Sequence, residues 1–292
     1  VTGVGTARRY LAACGYGGDK GIFGFGTTGS NTAVTNLVSN AGVVATDVTG
    51  VGTARNELAA CKYGEDKGIF GFGYSDTATA VTNLVSNAGV VATDTTGVGT
   101  GRYGPAACEY GGDKGIFGFG HTGSYVGMTN LVSNAGVVAS DVTAVGTARN
   151  GLAACEYGYD KGIFGYGYTG SRVSMTNLVS NAGVVATDVT GVGTARNGLA
   201  ACEYGGDKGI FGFGTTGSNV GMTNLVSNVG VVATDVSAVG TARRYIAACG
   251  YGFDKGIFAY GTTGSVSSLS NLVSTSGVVA SDVTGVGTAR YG

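Results

Sequence analysis

The stretch DKGIFGFG (Asp19–Gly26) decides the fold, because it occurs four times without change along the chain. Two further copies carry one or two substitutions, as DKGIFGYG (Asp160–Gly167) and DKGIFAYG (Asp254–Gly261). Glycine, β-branched and aromatic residues favour strands and turns over helix. The stretch therefore predicts a recurring β-strand that follows a tight turn.

The copies belong to a repeat of constant length. Each unit ends in VVATD or VVASD, and the closing aspartates from Asp47 to Asp282 are 47 residues apart. The last ten residues, VTGVGTARYG (Val283–Gly292), resemble the opening VTGVGTARRY (Val1–Tyr10). We therefore predict one domain over 1–292, with repeats at 1–47, 48–94, 95–141, 142–188, 189–235 and 236–282 and a partial seventh at 283–292.

Composition excludes several classes of protein. Glycine makes up 58 of 292 residues without a three-residue period, which rules out collagen. A hydrophobic fraction of 43% argues against disorder, and a net charge of -1 argues against nucleic acid as a partner. No apolar run approaches the ~18 residues of a membrane span, so we expect no membrane partner. The chain has neither an initiator Met nor a signal peptide, so we expect a processed or excised chain of unknown localisation.

Each repeat is predicted to hold four antiparallel strands. In the first repeat these are strand a near Tyr10–Gly17, strand b at Lys20–Gly26, strand c at Val34–Asn40 and strand d at Gly42–Gly50. Four strands at a period of ~45 residues are typical of a β-propeller blade. We predict an all-β, six-bladed β-propeller, with a β-solenoid as the alternative.

The order of landmarks resembles the kelch repeat. TAR leads into the small-residue strand LAAC, then into the aromatic-glycine strand IFGFG, a polar loop and two further strands. The fourth-strand Trp of kelch is absent, and Gly-Phe-Gly replaces its glycine pair. The glycine-tyrosine texture is also similar to repeats in structural proteins of marine phages. These resemblances imply a propeller and a structural setting such as a virion or another surface assembly.

Strand b and its neighbours carry residues with structural interpretations. Alternation predicts Phe23 and Phe25 on one face, packed against glycine and alanine of the next blade. The G-x-G-x-x-G of GFGTTG precedes a strand rather than a helix, so it does not predict a dinucleotide site. Six cysteines at equivalent places are predicted to be buried free thiols, compatible with the cytoplasm or a virion.

The arginine of TAR recurs in every repeat. One interpretation is that each arginine pairs with an aspartate or with carbonyl groups and fixes the loop before strand a. The other is a ring of arginines that binds an anion. The ligand-binding candidates of this series are Arg8, Arg55, Arg102, Arg149, Arg196 and Arg243.

The six copies differ mainly in two loops, the b-to-c loop and the residues after the TAR arginine. In an up-and-down blade both loops emerge on the same side, so the variable residues share one face. Loops on a constant scaffold are common places for recognition. The candidates on this face are Tyr74, His121, Tyr125, Tyr168 and Arg172.

The residues favour binding over catalysis. His121 is the only histidine, which argues against a histidine triad, a metal site or a cofactor. We expect a monomeric, non-enzymatic binding or structural module with a protein or glycan ligand on the variable-loop face. The alternatives are a multivalent sugar-binding propeller and, third, a hydrolase or lyase. For ring closure, the opening segment and the tail are expected to compete for one place between blades six and one.

Overall fold

The computed structural model describes residues 5–143, 146–237, 240–285 and 288–291. Over these residues the fold is all-β, and none of them forms a helix long and apolar enough to cross a membrane. The strands are β1 (Ala12–Tyr16), β2 (Lys20–Gly24), β3 (Thr35–Val38), β4 (Ala59–Tyr63), β5 (Lys67–Gly71), β6 (Thr82–Val85), β7 (Ala106–Tyr110), β8 (Lys114–Gly118), β9 (Thr129–Val132), β10 (Ala153–Tyr157), β11 (Lys161–Tyr168), β12 (Arg172–Val179), β13 (Ala200–Tyr204), β14 (Lys208–Gly212), β15 (Thr223–Val226), β16 (Ala247–Tyr251), β17 (Lys255–Ala259) and β18 (Ser270–Val273).

Each repeat forms one three-stranded antiparallel sheet, and we number these sheets 1 to 6 in chain order. In sheet 1, β1 pairs with β2 from Ala12 opposite Gly24 to Tyr16 opposite Lys20. The turn between them passes through Gly17 and Gly18, whose φ angles of 60° and 79° favour glycine. The predicted strands a, b and c and the tight turn between a and b are thus confirmed.

The predicted strand d is not a regular strand. In the first repeat it makes isolated bridges only, Val44 to Val38 and Val48 to Thr35. Between them the carbonyl of Ala45 accepts a hydrogen bond from the Asn36 side-chain amide at 3.1 Å. Because a side chain takes this carbonyl, the ladder is interrupted and a fourth continuous strand does not form.

The chain divides into two compact units, the first running to residue 144 and the second from residue 145. The first unit holds sheets 1 to 3 and the second holds sheets 4 to 6. Within each unit, strand β1, β4, β10 or β13 of one sheet contacts the corresponding strand of the next. That the whole chain forms one propeller domain stays a prediction.

Glycine lets consecutive sheets approach closely, as predicted, but the phenylalanine packs against glycine of the preceding sheet rather than of the next one. A β-carbon placed on Gly71 in sheet 2 would lie 2.7 Å from Cζ of Phe117 in sheet 3. The same close approach joins Gly165 to Phe211 and Gly212 to Phe258, at 2.6 Å. The phenylalanine ring of the next sheet therefore fills the space that a side chain at each glycine would occupy.

The prediction that both aromatic residues of strand b share one face is wrong. Phe70 packs back against Phe25 of the preceding sheet, with ring centroids 5.2 Å apart, whereas Phe72 packs forward against Phe117. The second aromatic residue has a left-handed backbone, with φ of 64° at Tyr166, where the pairing of β11 with β12 shifts register. This bulge turns the second ring to the opposite face.

The first and last sheets each expose a face that is covered in the other sheets. Tyr251 of sheet 6 is 40% exposed, while its equivalents Tyr16, Tyr63, Tyr110, Tyr157 and Tyr204 are 3–4% exposed. In sheet 1, Phe23 and Val38 are half-buried, although every equivalent Phe and Val in the other five repeats is fully buried. Where two consecutive sheets of one unit meet, one sheet contributes the face that sheet 6 exposes and the other contributes the face that sheet 1 exposes.

The tail continues the repeat on sheet 6. Val283 bridges Ser270 and Arg290 bridges Ser267, and the Arg290 carbonyl accepts a hydrogen bond from Gly261 N–H at 2.9 Å. Its guanidinium lies 3.8 Å from the centroid of the Tyr260 ring. The tail therefore occupies the place where a seventh repeat begins. Residues 1–4, part of the opening segment that the tail duplicates, lie outside the described residues.

Candidate functional site

The arginine of TAR is a buried residue that hydrogen-bonds within its own repeat, although Nη2 of Arg55 and Nε of Arg102 have no hydrogen-bond partner among the described residues. In the fifth repeat, Arg196 donates from Nε to the Phe213 carbonyl at 2.9 Å and from Nη2 to the Asn224 Oδ1 at 2.7 Å. Its Nη1 donates to the Thr194 carbonyl at 3.1 Å and lies 3.8 Å from the carboxylate of Asp235. Arg196 thus ties the loop before strand a to strands b and c of its own sheet.

The same guanidinium reaches the preceding sheet. Arg196 lies 4.1 Å from the centroid of the Tyr166 ring, and equivalent contacts join Arg55 to Phe25 and Arg102 to Phe72. Burial lowers the pKa of Arg55 and Arg102 to about 10, and the nearby aspartates oppose that fall. Both groups therefore stay charged at neutral pH while they join neighbouring sheets.

The closing aspartate of each repeat completes this arrangement. Asp235 accepts hydrogen bonds from the Thr194 hydroxyl at 2.6 Å and from the Asn224 amide at 3.0 Å. Burial by itself raises the pKa of Asp235, but these bonds and Arg196 outweigh it and hold the pKa below its ordinary value. Asp235 is therefore a carboxylate that holds the start and end of its repeat together.

The burial of these arginines affects the prediction that they form a ligand-binding ring. Arg55, Arg102, Arg149, Arg196 and Arg243 are fully buried, and Arg8 is 9% exposed. A ligand that reached these groups would have to displace the partners that hold each sheet. Their ligand-binding role stays a prediction, while their contacts are those of residues that fix the geometry of each repeat.

The two variable loops of each repeat meet, as predicted. Isolated bridges join the residue after the TAR arginine to the first residue of the b-to-c loop of the same repeat. These pairs are Arg9 with Thr27, Asn56 with Tyr74, Tyr103 with His121, Asn150 with Tyr168, Asn197 with Thr215 and Arg244 with Thr262. Residues that differ between repeats therefore lie next to one another.

In the first unit these loops gather a continuous group of aromatic rings, which we call the aromatic surface: Tyr74, Tyr103, His121 and Tyr125. Ring centroids are 5.4 Å apart between Tyr74 and Tyr103, and 5.1 Å apart between Tyr103 and His121. His121 and Tyr125 are also 5.1 Å apart, at a steep interplanar angle of 80°. Three of the predicted candidates are thus brought together, with Tyr74 40% exposed.

His121 is oriented within this group. Its Nδ1 accepts a hydrogen bond from the Gly123 backbone N–H at 3.0 Å. An accepting Nδ1 places the proton of the neutral ring on Nε2. The imidazole therefore acts here as a neutral ring among tyrosines.

The candidates from the sequence omit one member of this group, Tyr103, and also the neighbouring residue Glu57. Tyr103 lies centrally, in ring contact with both Tyr74 and His121. Burial raises the pKa of Tyr103, and the charge of Glu57 raises it further. Both follow a buried TAR arginine closely, in the variable segments NEL and YGP. The sequence signal that could have identified Tyr103 and Glu57 is that both differ from the residues at the equivalent positions of the other repeats.

Tyr168 and Arg172 lie in the second unit. They pair across the end of the long hairpin of β11 and β12. A β-carbon placed on Gly217, in the next repeat, would lie 3.9 Å from Arg172 Nη1. The Arg172 Nε has no hydrogen-bond partner among the described residues. Arg172 thus extends along the loop face of its own unit.

All six cysteines are free, as predicted, but the prediction that all are buried is wrong, since four are buried while Cys14 is half-buried and Cys249 is exposed. Burial raises the pKa of Cys14 to about 12, and burial also raises the pKa of the equivalent Cys61 and Cys155. Such thiols are poor nucleophiles at neutral pH. Cys249 is the exposed member of the series. Within the described residues, no group of three or more His, Cys, Asp and Glu side chains is arranged to hold a metal ion.

Comparison with known proteins returned no match, either to a protein-family model or to a curated protein sequence.

Proposed function

We propose that this chain is a non-enzymatic binding or structural module, in which a constant β scaffold presents a ligand face made of variable loops. The observation that carries the proposal is the aromatic surface. Three loops that differ from repeat to repeat bring Tyr74, Tyr103, His121 and Tyr125 into ring contact. Tyrosine-rich surfaces are common in recognition, because each ring supplies a large contact area at low entropic cost.

The scaffold we propose is a six-bladed, kelch-like β-propeller, with the segment after strand c as the fourth, irregular strand of each blade. The uncovered faces of sheets 1 and 6 support this arrangement. Sheet 6 leaves Tyr251 exposed and sheet 1 leaves Phe23 half-buried, and these are the two sides of the contact made inside each unit. Ring closure would bury both faces.

A protein or a glycan is the ligand class that suits this face. A lectin with one equivalent site per blade is less favoured, because the aromatic surface belongs to repeats 2 and 3. The fifth repeat has Asn197, Thr215 and Asn219 at the positions of Tyr103, His121 and Tyr125. One ligand site per chain therefore fits the residues better than six.

The experiment replaces the rings of the aromatic surface with the non-aromatic residues that repeat 5 has at the equivalent positions. The test variant combines Tyr74→Thr, Tyr103→Asn, His121→Thr and Tyr125→Asn. The matched control combines Tyr159→Gly and Phe253→Gly, two side chains that are 71% and 99% exposed on the a-to-b turns. These turn positions are glycine in repeats 1, 3 and 5, so the control removes aromatic surface from the opposite loops.

Labelled wild type, test variant and control are applied to a glycan array and a peptide array. The expected result is a ligand that wild type and control bind and that the test variant does not. Equal binding by all three proteins, or no ligand for wild type on either array, would overturn the proposal. Circular dichroism of each variant verifies that the β scaffold is retained.

A further inference from the structure

The acidic side chain of Glu57 lies beside the aromatic surface, at a position where none of the other five repeats has an acidic residue. Glu57 is equivalent to Tyr10, Gly104, Gly151, Gly198 and Tyr245 in the other repeats. Its φ angle is 49°, in the left-handed region that glycine adopts most readily. Residues other than glycine held there carry a conformational cost and occur often at binding sites.

The backbone holds Glu57 between two members of the aromatic surface. The preceding residue, Asn56, donates its N–H to the Tyr74 carbonyl at 3.1 Å. The Glu57 carbonyl accepts a hydrogen bond at 2.8 Å from the N–H of Gly104, the residue after Tyr103. Glu57 therefore lies where the loops that carry Tyr74 and Tyr103 come together.

The side chain of Glu57 is half-buried, in a setting where the described part of the chain places no cation against its carboxylate. Among the described residues it has neither an ion pair nor a hydrogen bond, and burial raises its pKa. Arg55, two residues before Glu57 in the chain, is fully buried and donates to the carbonyls of Phe72 and Thr53. A partly desolvated carboxylate without a partner favours a cation.

We propose that Glu57 and the aromatic surface together bind an organic ammonium group. The faces of tyrosine rings attract ammonium ions, and a carboxylate at the edge of such rings adds direct charge pairing. The neutral ring of His121 adds a further aromatic contact without repelling the ion. The inference rests on the proposed loop-face function and assigns it a ligand that carries an organic ammonium group.

Choline tests this assignment in the intact chain, with its neutral carbon isostere 3,3-dimethylbutan-1-ol as the comparison ligand. Both are titrated while tyrosine and His121 ring signals are followed by NMR, at constant ionic strength adjusted with sodium chloride. We expect choline to shift these signals saturably and the isostere to bind at least about tenfold more weakly.

Two variants isolate the carboxylate. Glu57→Gln removes the charge and keeps the shape, and Glu57→Gly supplies the residue of repeats 3 to 5 and relieves the left-handed backbone. Both should weaken choline binding about tenfold or more. The control is Glu65→Gln, which alters an exposed glutamate in the same repeat whose φ angle is 68°. It should leave choline binding unchanged.

The outcomes separate this inference from the proposed function. Equal binding of choline and its isostere, or choline binding that survives both Glu57 variants, overturns the ammonium site. An absence of any choline-induced shift overturns it as well. If the arrays nevertheless give a neutral ligand that the four-residue loop variant fails to bind, the loop-face function stands without the ammonium site.

Discussion

The guanidinium of Arg196 lies 4.1 Å from the centroid of the Tyr166 ring in the preceding sheet, and it also donates to Asn224 in its own sheet. The side chain of Arg196 thus joins two repeats, and it also holds the start of its own repeat against strands b and c. Arg55, Arg102 and Arg243 make the equivalent contact with the preceding sheet, so the same link recurs between consecutive repeats within each compact unit. Loop residues are then free to differ.

Replacement of Arg196 by alanine should destabilise the protein strongly. The change leaves Asp235, Asn224 and the Phe213 carbonyl without their buried partner, which typically costs about 3–5 kcal/mol. Arg196→Lys should recover part of the loss, since lysine keeps the charge but lacks the planar fork of donors. Urea unfolding followed by circular dichroism measures both free energies of unfolding.

Arg9→Ala is the control for this prediction, because Arg9 is an exposed arginine next to a buried one. Its change in the free energy of unfolding should stay within about 0.5 kcal/mol. A similar loss for Arg9→Ala and Arg196→Ala would contradict the structural role of the buried series.

Addition of one methyl group at Gly71 should also destabilise the protein. The new β-carbon would lie 2.7 Å from Cζ of Phe117, and overpacking of this kind costs about 1–3 kcal/mol. Gly250→Ala is the matched control in a strand of sheet 6, where the nearest atom to a new β-carbon is 3.7 Å away. Equal midpoints of thermal unfolding for the two variants would refute the role of glycine in sheet contact.

The sequence allowed the sheets to be predicted because period and turn chemistry are local. Constant spacing of Asp47 and its equivalents located the repeats, and the consecutive glycines of repeats 1, 3 and 5 located the a-to-b turn. The direction of Phe25 was not predictable from alternation, since its left-handed backbone reverses the face. Strand d is not regular because the Asn36 side chain, nine residues earlier in the chain, donates to the carbonyl of Ala45, and alternation alone does not reveal that side-chain bond.

The candidate site was predictable only in part. Differences between repeats identified Tyr74, His121 and Tyr125, and the pairing of variable loops followed from the order of strands. Glu57 and Tyr103 were not selected, because their significance depends on contacts between repeats 2 and 3. Contacts of this kind depend on how sheets pack, and no local pattern encodes them.

Acid should destabilise the fold through the closing aspartates. The pKa values of Asp94, Asp141, Asp188 and Asp235 are held below their ordinary value even though burial opposes this, since hydroxyl and amide donors and the neighbouring arginines outweigh burial. A depressed pKa stabilises the folded state at pH values above the unfolded pKa of about 3.9. That contribution is lost as the pH falls through the lower, folded-state pKa values.

We therefore expect the free energy of unfolding to be nearly constant from pH 7 to about pH 5 and to fall steadily below about pH 4. Urea titrations across this range measure it. An Asp235→Asn variant, which cannot ionise at one of these sites, should start less stable at pH 7 and lose less stability on acidification. If the stability of Asp235→Asn depended on pH in the same way as that of wild type, the stabilising role of the Asp235 carboxylate would be contradicted.

Ring closure can be tested with one engineered thiol. Within the units, a β-carbon placed on Gly68 or Gly256 would lie 2.5 or 2.7 Å from the sulfur of the preceding sheet's cysteine. The corresponding pair between the uncovered faces is Gly21 with Cys249. If sheet 6 meets sheet 1 of the same chain, oxidised Gly21→Cys should form an intramolecular disulfide with Cys249.

Mass spectrometry of non-reduced digests identifies the cross-link, and size-exclusion chromatography reports whether it joins one chain or two. Gly68→Cys, which should bond to Cys14 inside the first unit, is the positive control, and Gly21→Ser is the negative control. Closure also predicts that wild-type Cys249 reacts with iodoacetamide as slowly as the buried Cys202. Disulfide-linked dimers of Gly21→Cys, or no cross-link while Gly68→Cys forms one, would exclude a ring closed within one chain. An intramolecular bond together with a protected Cys249 thiol is the outcome that a six-bladed propeller requires.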